Sequence, residues 1–433
     1  MQEFGAFVDE LESFVKSILK RGGVVDSDRG RIAAALDGNA GAALRRLVNV
    51  SARRNAGAFF TGSSLANALV SPRAELIRQG AVVADPACGA GDLLIACATH
   101  MTTAPTLTQT LNSWGQRLCG SDLEPNFVRA AILRVILQAM SRVHVIDCAD
   151  LATLKRYLGR IRCEDGLAVD RRDARLIVLN PPYGSSRAPD DCTWASGATA
   201  RAALFYDAVL TAAPADCRLL ALLPDVLRSG RRYEKWRSGV SKLTVIEGIR
   251  PAGLFDHWTD VDVFELAAIR VATSVERKVE WWATEMETMG PTLSDEFHVS
   301  VGPVVPFRDR KSGPAHPYIH PRNLEPWREV LPRDETRKYS GPVVAPPFVA
   351  IRRTSRPGDR HRATATIVKG ESSVAVENHI IVCKPHDNTL RSCRTLMRRL
   401  REESTTIWLD ERLRCRHLTV SAIRELPYED NRR

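Results

Sequence analysis

The sequence predicts an α/β fold: a mostly parallel sheet covered by helices on both faces, followed by a separate α+β unit of irregular rhythm. Three observations carry this. Between about residues 80 and 275, short β-rich runs alternate with longer helical stretches. Beyond about 275 that alternation stops and prolines cluster, from Pro303 to Pro326 and again at Pro342, Pro346 and Pro347. The entire excess of positive charge also lies late in the chain. Strands that alternate with helices build a parallel sheet, because each crossover helix packs back onto a face of it.

Taken in order, residues 1–50 carry apolar positions at helical spacing, in FVDELESFVKSIL and again in IAAAL and AALRRLV. Strands are expected at 81–84 (AVVA), in a run ending at Asp122 (LCGSD), and at 143–146 (VHVI) and 175–179 (RLIVL). Further strands are expected at 218–223 (RLLALL), 243–249 (LTVIEGI) and 264–272 (FELAAIRVA). Helices are expected at 91–100, 125–140 and 202–213, and β structure returns at 374–383 (VAVENHIIVC). The domain reading is therefore an N-terminal helical segment 1–50, an α/β domain 51–275 and a basic domain 276–433.

Composition narrows the classes. With 433 residues and 44% apolar content, a sizeable core is available and a wholly disordered chain is excluded. No run approaches the ~18 consecutive apolar residues of a membrane span. The start, MQEFGAFVDE, lacks the basic region of a secretion signal, so a soluble cytoplasmic protein without a membrane partner is expected. No two of the ten cysteines are three positions apart, which argues against zinc and thioredoxin-like sites; no metal is expected. Residues 301–433 hold 26 Lys+Arg against 16 Asp+Glu, leaving 35 of each in residues 1–300. A neutral body joined to a basic domain points to a catalytic unit with a polyanion-binding partner unit.

The run AVVADPACGAGDLL reads as strand, turn, helix. Gly89 and Gly91 let the backbone approach a ligand closely at the carboxyl edge of a parallel sheet. Leu94 stands where the dinucleotide fingerprint would place its third glycine, so that motif is not completed. Asp85 precedes the turn. Asp122 ends the next strand, where an acid can accept hydrogen bonds from ribose hydroxyls. Asp150 follows the 143–146 run and is expected to touch an adenine ring, whereas Asp147 reads as a turn acid. Three acids at consecutive strand tips favour an adenosine-containing ligand.

Asn180-Pro181-Pro182-Tyr183 is the sharpest signal. Asn180 ends the strand RLIVL, and the two prolines forbid further ladder bonding and hold the backbone extended. An amide side chain, a free carbonyl and an aromatic ring together suit a planar group bearing an NH2. If the Asn180 oxygen and the Pro181 carbonyl each accept one amine hydrogen, the nitrogen lone pair is freed toward an electrophile while Tyr183 stacks on the ring.

DPACGAG together with NPPY resembles the S-adenosylmethionine-dependent amino-methyltransferases, and specifically the gamma-class N6-adenine DNA methyltransferases of restriction-modification systems. NAGAFFTGSSLANALV (55–70), CRLLALLPDVLRSGRRYEKWR (217–237) and AGLFDHWTDVDVFELAAIR (252–270) support that subclass. The resemblance covers about 50–275 and implies a Rossmann-like catalytic domain followed by a target-recognition domain. It implies that Phe59, Phe60 and Thr61 close over the methionine end of the cofactor. Asp85, Ala87, Gly89, Gly91, Asp122 and Asp150 would bind S-adenosylmethionine. Asn180, Pro181, Pro182 and Tyr183 would be catalytic, and Phe255 would offer a second aromatic face to a flipped adenine, with Trp258 and Phe264 close in sequence. The implied partners are double-stranded DNA and a cognate restriction endonuclease.

Other motifs compete. Cytosine C5 chemistry needs a cysteine nucleophile, and the Pro-Cys pair in which it typically stands does not occur. Glu276-Arg277-Lys278, with Asp262 upstream, has the letters of a nuclease motif and also those of a solvated surface. His379 reads as a structural histidine. The run 352–362 holds Arg352, Arg353, Arg356, Arg360 and Arg362 in eleven residues and is expected to bind DNA phosphates or base edges. Two alternatives to DNA methylation remain from the motifs: methylation of RNA or of a protein glutamine, and a degenerate methyltransferase domain used only to recognise DNA.

Overall fold

The computed structural model describes residues 2–57, 59–255, 261–277, 279–281, 290–332 and 335–428. The chain forms two compact units: residues 1–228 with 232–279, and 229–231 with 280–433.

The first unit opens with four helices: α1 (Phe4–Arg21), α2 (Asp26–Leu36), α3 (Asn39–Leu47) and α4 (Val50–Ala56). In α1 the buried side chains Phe4, Val8, Leu11, Val15 and Ile18 recur every three or four positions, which makes one apolar stripe. Gly22, with φ +71°, ends that helix in the left-handed region. Helices α5 (Ser63–Val70) and α6 (Ala74–Arg78) lead into the sheet.

The sheet strands are β1 (Val83–Asp85), β2 (Leu118–Asp122), β3 (Ile161–Cys163) and β4 (Leu176–Leu179). A small antiparallel hairpin, β5 (Ser185–Arg187) with β6 (Ala198–Ala200), stands outside it. The sheet then continues with β7 (Arg218–Pro224), β8 (Thr244–Leu254) and β9 (Asp262–Arg270), in the order β3-β2-β1-β4-β7-β9-β8. In that order β3, β2, β1, β4 and β7 pair in parallel, and β9 pairs antiparallel with both β7 and β8. β1 and β4 are buried at every position, as expected of central strands covered on both faces. Helices α7 (Asp92–His100), α8 (Leu107–Gly115), α9 (Pro125–Met140), α10 (Leu151–Tyr157) and α11 (Arg201–Ala212) connect the strands. The expected α/β architecture with a mainly parallel sheet is borne out.

One strand expectation needs correcting. Residues 143–146 form no strand, and only Val145 makes an isolated bridge to Thr106. The third strand is β3, in a run whose middle residue is charged. Asp147 and Asp150 are consequently displaced from the sheet edge. Asp147 accepts bonds from Thr108, and Asp150 caps α10 by accepting from the backbone N–H of Ala152 (3.1 Å) and Thr153 (3.0 Å).

In the second unit, a five-stranded sheet runs β10 (Phe297–Val301), β17 (Ile380–Pro385), β14 (Phe348–Arg352), β15 (Ala365–Val368), β12 (Glu329–Val330). Alternate residues of β14 serve its two faces: Val349 and Ile351 meet the helices Leu390–Arg401 and Glu403–Arg412, while Phe348 and Ala350 join Ile319, Val374 and Val376. A smaller sheet pairs β11 (Ala315–Ile319) with β13 (Thr336–Lys338) and β16 (Ala375–Val376). The 374–383 run thus splits into two strands around Glu377-Asn378-His379. His379 Nδ1 lies 2.8 Å from Glu377 Oε1, which gives this histidine a structural partner.

The arginine run 352–362 is not one surface. Arg362 is completely buried: its guanidinium donates to Ser355 Oγ (2.8 Å), Leu413 O (2.8 Å) and Cys415 O (3.0 Å) and pairs with Asp410 at 2.7 Å. Arg352 donates to Leu324 O, and Arg353 to Leu418 O and Asn378 O, and both are half-buried. Only Arg356 and Arg360 are exposed. Residues spaced for a loop were read as equivalent, but a guanidinium with five donors is also the side chain best able to gather loose carbonyls inside a fold.

Arg362→Ala is expected to lower the unfolding free energy of the second unit by about 3–5 kcal/mol, since it strands Asp410 and three acceptors. Arg356→Ala should stay within about 0.5 kcal/mol. Urea unfolding of the two variants checks both.

Candidate active site

The order of the sheet reverses between β1 and β4, so the crevice at their carboxyl ends is the natural ligand position of an open α/β sheet. Both sequence motifs emerge there. After β1 the turn is held by Cys88 N–H on Ser121 O (2.9 Å) and Gly91 N–H on Cys88 O (2.8 Å). Gly91 has φ +88°, and a Cβ on it would lie 2.9 Å from the Ala131 Cβ of α9. The turn therefore sits directly against that helix.

A cavity of about 420 Å³ opens over the turn. Ala87, Gly89, Asp122, Phe59, Asn180 and Pro182 are in its wall, all expected from the sequence. Asp122 Oδ2 accepts the Gly89 N–H and Oδ1 the Glu124 N–H, each at 2.9 Å, which fixes the carboxyl at the strand tip. Burial pushes its pKa up from the ordinary carboxylate value, and those backbone bonds oppose the rise. Phe60 also lines the cavity and packs edge-on against Phe127 (4.9 Å) and Phe4 (5.8 Å).

Asp165 lines this cavity and was missed. It follows β3, and its Oδ1 accepts the Leu167 N–H at 2.9 Å. Its neighbour Gly166 lies so near the glycine turn that a Cβ there would fall 1.9 Å from Pro86 O. The sequence carries its signal only as a short I-R-C run ending in Glu-Asp-Gly, which VHVI outweighs in strand composition. Asp150, assigned to the ligand in its place, is not in the wall of this cavity. It borders a separate groove with Glu12, Lys16 and Lys155.

After β4, the Asn180 amide donates from Nδ2 to Phe59 O (3.1 Å) and Thr61 Oγ1 (3.0 Å). A carbonyl can only accept, so the nitrogen must face Phe59 and the amide cannot be turned over. Its Oδ1 is buried and accepts no hydrogen bond from the described residues. A buried acceptor left open costs free energy unless a ligand fills it. Pro181 is buried and Pro182 lines the cavity. Tyr183 is buried, with its ring stacked on Phe59 (5.9 Å, 27°) and edge-on to Phe255 (5.4 Å); Phe59 and Phe255 also meet, at 6.3 Å. Three expected aromatics thus form one cluster, tied to the Asn180 amide through the Phe59 backbone. Phe264 is fully buried in β9, and Trp258 lies outside the described residues.

Asp85 stands one step below the main cavity. It is buried, receives the Ala87 N–H at 3.2 Å and borders a second cavity of about 210 Å³ with Ser121 and Arg171. Burial raises its pKa to about 8, with Asp122 and Asp92 adding to the rise and the Ala87 bond opposing it. All ten cysteines are free thiols. Among the described residues no group of three or more His, Cys, Asp or Glu could hold a metal ion, and no helix is long and apolar enough to cross a membrane. Glu276 pairs with Lys242 at 2.6 Å, and Lys278 lies outside the described residues.

The sheet order and its crevice define a class I methyltransferase fold. In the solved structures, the chain is similar to the type IIL restriction-modification enzyme MmeI in complex with DNA. That match has a TM-score of 0.55 at 11% identity, over 89% of this chain and 70% of that one. A class I S-adenosylmethionine-dependent methyltransferase from Listeria monocytogenes matches at TM-score 0.40 and 16% identity, over 59% of this chain and 73% of that one. A modification subunit of a type I restriction enzyme from Vibrio vulnificus matches at TM-score 0.37 and 16% identity, over 54% of this chain. The chain spans about half of that subunit, 49%. No curated protein matches. Residues 43–210 match the family model of the N-6 DNA methylases.

The Asp85 carboxyl gives a pH test. The unfolded chain releases this proton near the ordinary carboxylate value, whereas the folded chain holds it to about 8. Stability should therefore fall as pH rises from about 4 to about 8. Asp85→Asn should flatten that decline in urea titrations across the same window.

Proposed function

We propose that this protein transfers the methyl group of S-adenosylmethionine to the N6 amine of an adenine extruded from duplex DNA. The observation that carries the reading is the buried, unpartnered Oδ1 of Asn180, held in one orientation at the rim of a cavity with the glycine turn in its wall. The N-6 DNA methylase match over 43–210 supports it. The residues present suit the cofactor: an acid at the β2 tip, Asp165 beyond β3, and glycines that leave room for a ligand at the turn. In this reading Asp122 takes the ribose hydroxyls and Asp165, rather than Asp150, the adenine end. Phe59, Ala87 and Gly89 are in the wall, Thr61 and Gly91 hold the segments behind it, and Asp85 supports the turn from below.

When bound, the cofactor supplies an electrophilic methyl on a sulfonium. The chain's own work is on the amine. Asn180 Oδ1 and the Pro181 carbonyl each accept one N–H, which draws the nitrogen toward tetrahedral geometry and frees its lone pair. Tyr183, with Phe255 and Phe59 beside it, supplies the aromatic face that holds the base in line. Extrusion of the base is required because its amine cannot be reached inside the stack.

DNA affinity is assigned to the second unit, through its exposed arginines. These are Arg356 and Arg360 on the loop, and Arg391, Arg398 and Arg401 along the outer face of the helix Leu390–Arg401. A restriction-modification setting with a cognate endonuclease is the cellular context proposed.

Asn180→Ala should lower the methyl-transfer rate about a hundred- to a thousandfold, with calorimetric cofactor affinity nearly unchanged. Label transfer from S-adenosylmethionine to duplex DNA, RNA and protein extract, followed by nucleoside analysis, identifies the acceptor. Methylated RNA or protein in place of methyl-adenine in DNA would overturn the substrate assignment. Asp165→Ala should weaken cofactor binding about ten- to a hundredfold and Asp150→Ala should not. Each exposed arginine that meets a phosphate should, when replaced by Ala, reduce the salt slope of DNA binding by about 1.

A further inference from the structure

We infer that Arg134, acting with Asp92, is a positioning residue that makes the N-terminal helices part of the cofactor site. Arg134 lies in the middle of α9 and is completely buried. Its Nε donates to Ala35 O (2.8 Å) and its Nη2 to Leu36 O (3.1 Å), both at the end of α2. Its Nη1 donates to Ala90 O (2.6 Å), inside the glycine turn, and to Asp92 Oδ1 (2.7 Å), in the first turn of α7. One guanidinium on α9 thus joins two segments, 35–36 and 90–92, that the sequence keeps far apart.

Asp92 extends the connection. Its Oδ2 accepts the Gly62 N–H at 2.8 Å. Gly62 follows Phe59, Phe60 and Thr61. Phe59 O and Thr61 Oγ1 are the two groups that orient the Asn180 amide. The path from Arg134 therefore runs through Asp92 and Gly62 to the acceptors that leave Asn180 Oδ1 open. A second path runs through packing: Phe4 of α1 meets the Phe60 and Phe127 rings, which line the cavity. The N-terminal helices touch the site from both directions.

Only arginine can do this. Four bonds in a planar fork reach two carbonyls on one side and a carbonyl and a carboxylate on the other, whereas a lysine ammonium is a single point of charge. Burying the charge is tolerable because all four acceptors are satisfied at once. The arrangement fixes the glycine turn and the Phe59–Thr61 stretch relative to each other, and that relation sets both cofactor affinity and the aim of the Asn180 oxygen.

The inference rests on the reading that this unit binds S-adenosylmethionine, and the test separates the two. Full-length wild type, Arg134→Lys, Asp92→Asn and Arg129→Gln are compared by calorimetry with S-adenosylmethionine, by thermal unfolding and by steady-state methylation. Arg129 is the comparator because it also ties α1 to α9, through Asp9 (2.9 Å) and Glu12 (3.5 Å), without touching the glycine turn. Arg134→Lys should weaken cofactor binding about ten- to a hundredfold. It should also lower kcat, since Asn180 loses its fixed aim. Asp92→Asn, the milder change, keeps one acceptor for two donors and should show the same pattern to a smaller degree. Arg129→Gln should lower only the unfolding temperature. Folded Arg134→Lys and Asp92→Asn proteins with wild-type affinity and kcat would overturn the inference while leaving the function standing. If Arg134→Lys does not fold, Asp92→Asn alone decides in the same terms. Wild-type protein that takes up no S-adenosylmethionine overturns the function and the inference with it.

Discussion

The reversal of strand order between β1 and β4 is the constraint on which the site depends. The two strands pair side by side in parallel, with Val83 opposite Leu176 and Ala84 opposite Ile177. Their connections depart to opposite sides, which leaves a crevice that neither crossover fills. The glycine turn leaves one strand and the Asn-Pro-Pro-Tyr segment leaves the other. Two motifs about ninety residues apart therefore open onto one cavity. Because both strands are fully buried, their register is pinned by burial on both faces, and the tips inherit that precision.

Rigidity at the strand tips would not suffice without control of the Asn180 amide. A primary amide offers donors and an acceptor that differ little in shape, and two unlike partners are needed to fix which points where. Phe59 O and Thr61 Oγ1 do so from a segment about 120 residues earlier. Gly57 makes the approach feasible: with φ +66°, a Cβ there would sit 2.7 Å from Tyr183 O. The segment ahead of the glycine turn thus acts on the amide as well as on the cavity wall, which joins the glycine-turn side of the cavity to the Asn-Pro-Pro-Tyr side.

The sequence showed the alternation of strands and helices, the turn, the Asn-Pro-Pro-Tyr motif and the aromatic partners of Tyr183, because each is local chemistry with a fixed spacing. It misled at β3. VHVI has the β-branched composition of a strand, yet Val145 is exposed and Val143 and Ile146 are only partly buried, and composition alone cannot reveal which run reaches the sheet. Ile161–Cys163 pairs with β2 although two of its three residues are exposed, because an edge strand needs only one buried face. With β3 at Ile161–Cys163, the acid that follows the strand and lines the cavity is Asp165, while Asp150 borders a separate groove. The Arg134 connection was illegible for another reason. Its partners are backbone carbonyls at Ala35, Leu36 and Ala90, and a carbonyl carries no signature in the residue type.

Arginine has two opposite uses in this chain, and this limits what net charge can say. Arg134 and Arg362 rank among the largest fully buried side chains, each gathering backbone carbonyls and one carboxylate. Such a residue contributes to the formal charge but offers no donor to a polyanion. In 352–362 the five arginines divide into one that is fully buried, two that are half-buried on carbonyls and two that face solvent. The helix Leu390–Arg401 behaves differently. Its apolar positions Cys393, Leu396 and Leu400 turn inward, so helical geometry forces Arg391, Arg394, Arg398 and Arg401 outward onto one face. Of these, Arg394 is bidentate on Glu329 and so partly neutralised. The positive field of this surface therefore comes from a regular helical stripe more than from the loop with the denser count. Periodicity, which encodes which side a residue faces, was the better guide to the basic surface than arginine density.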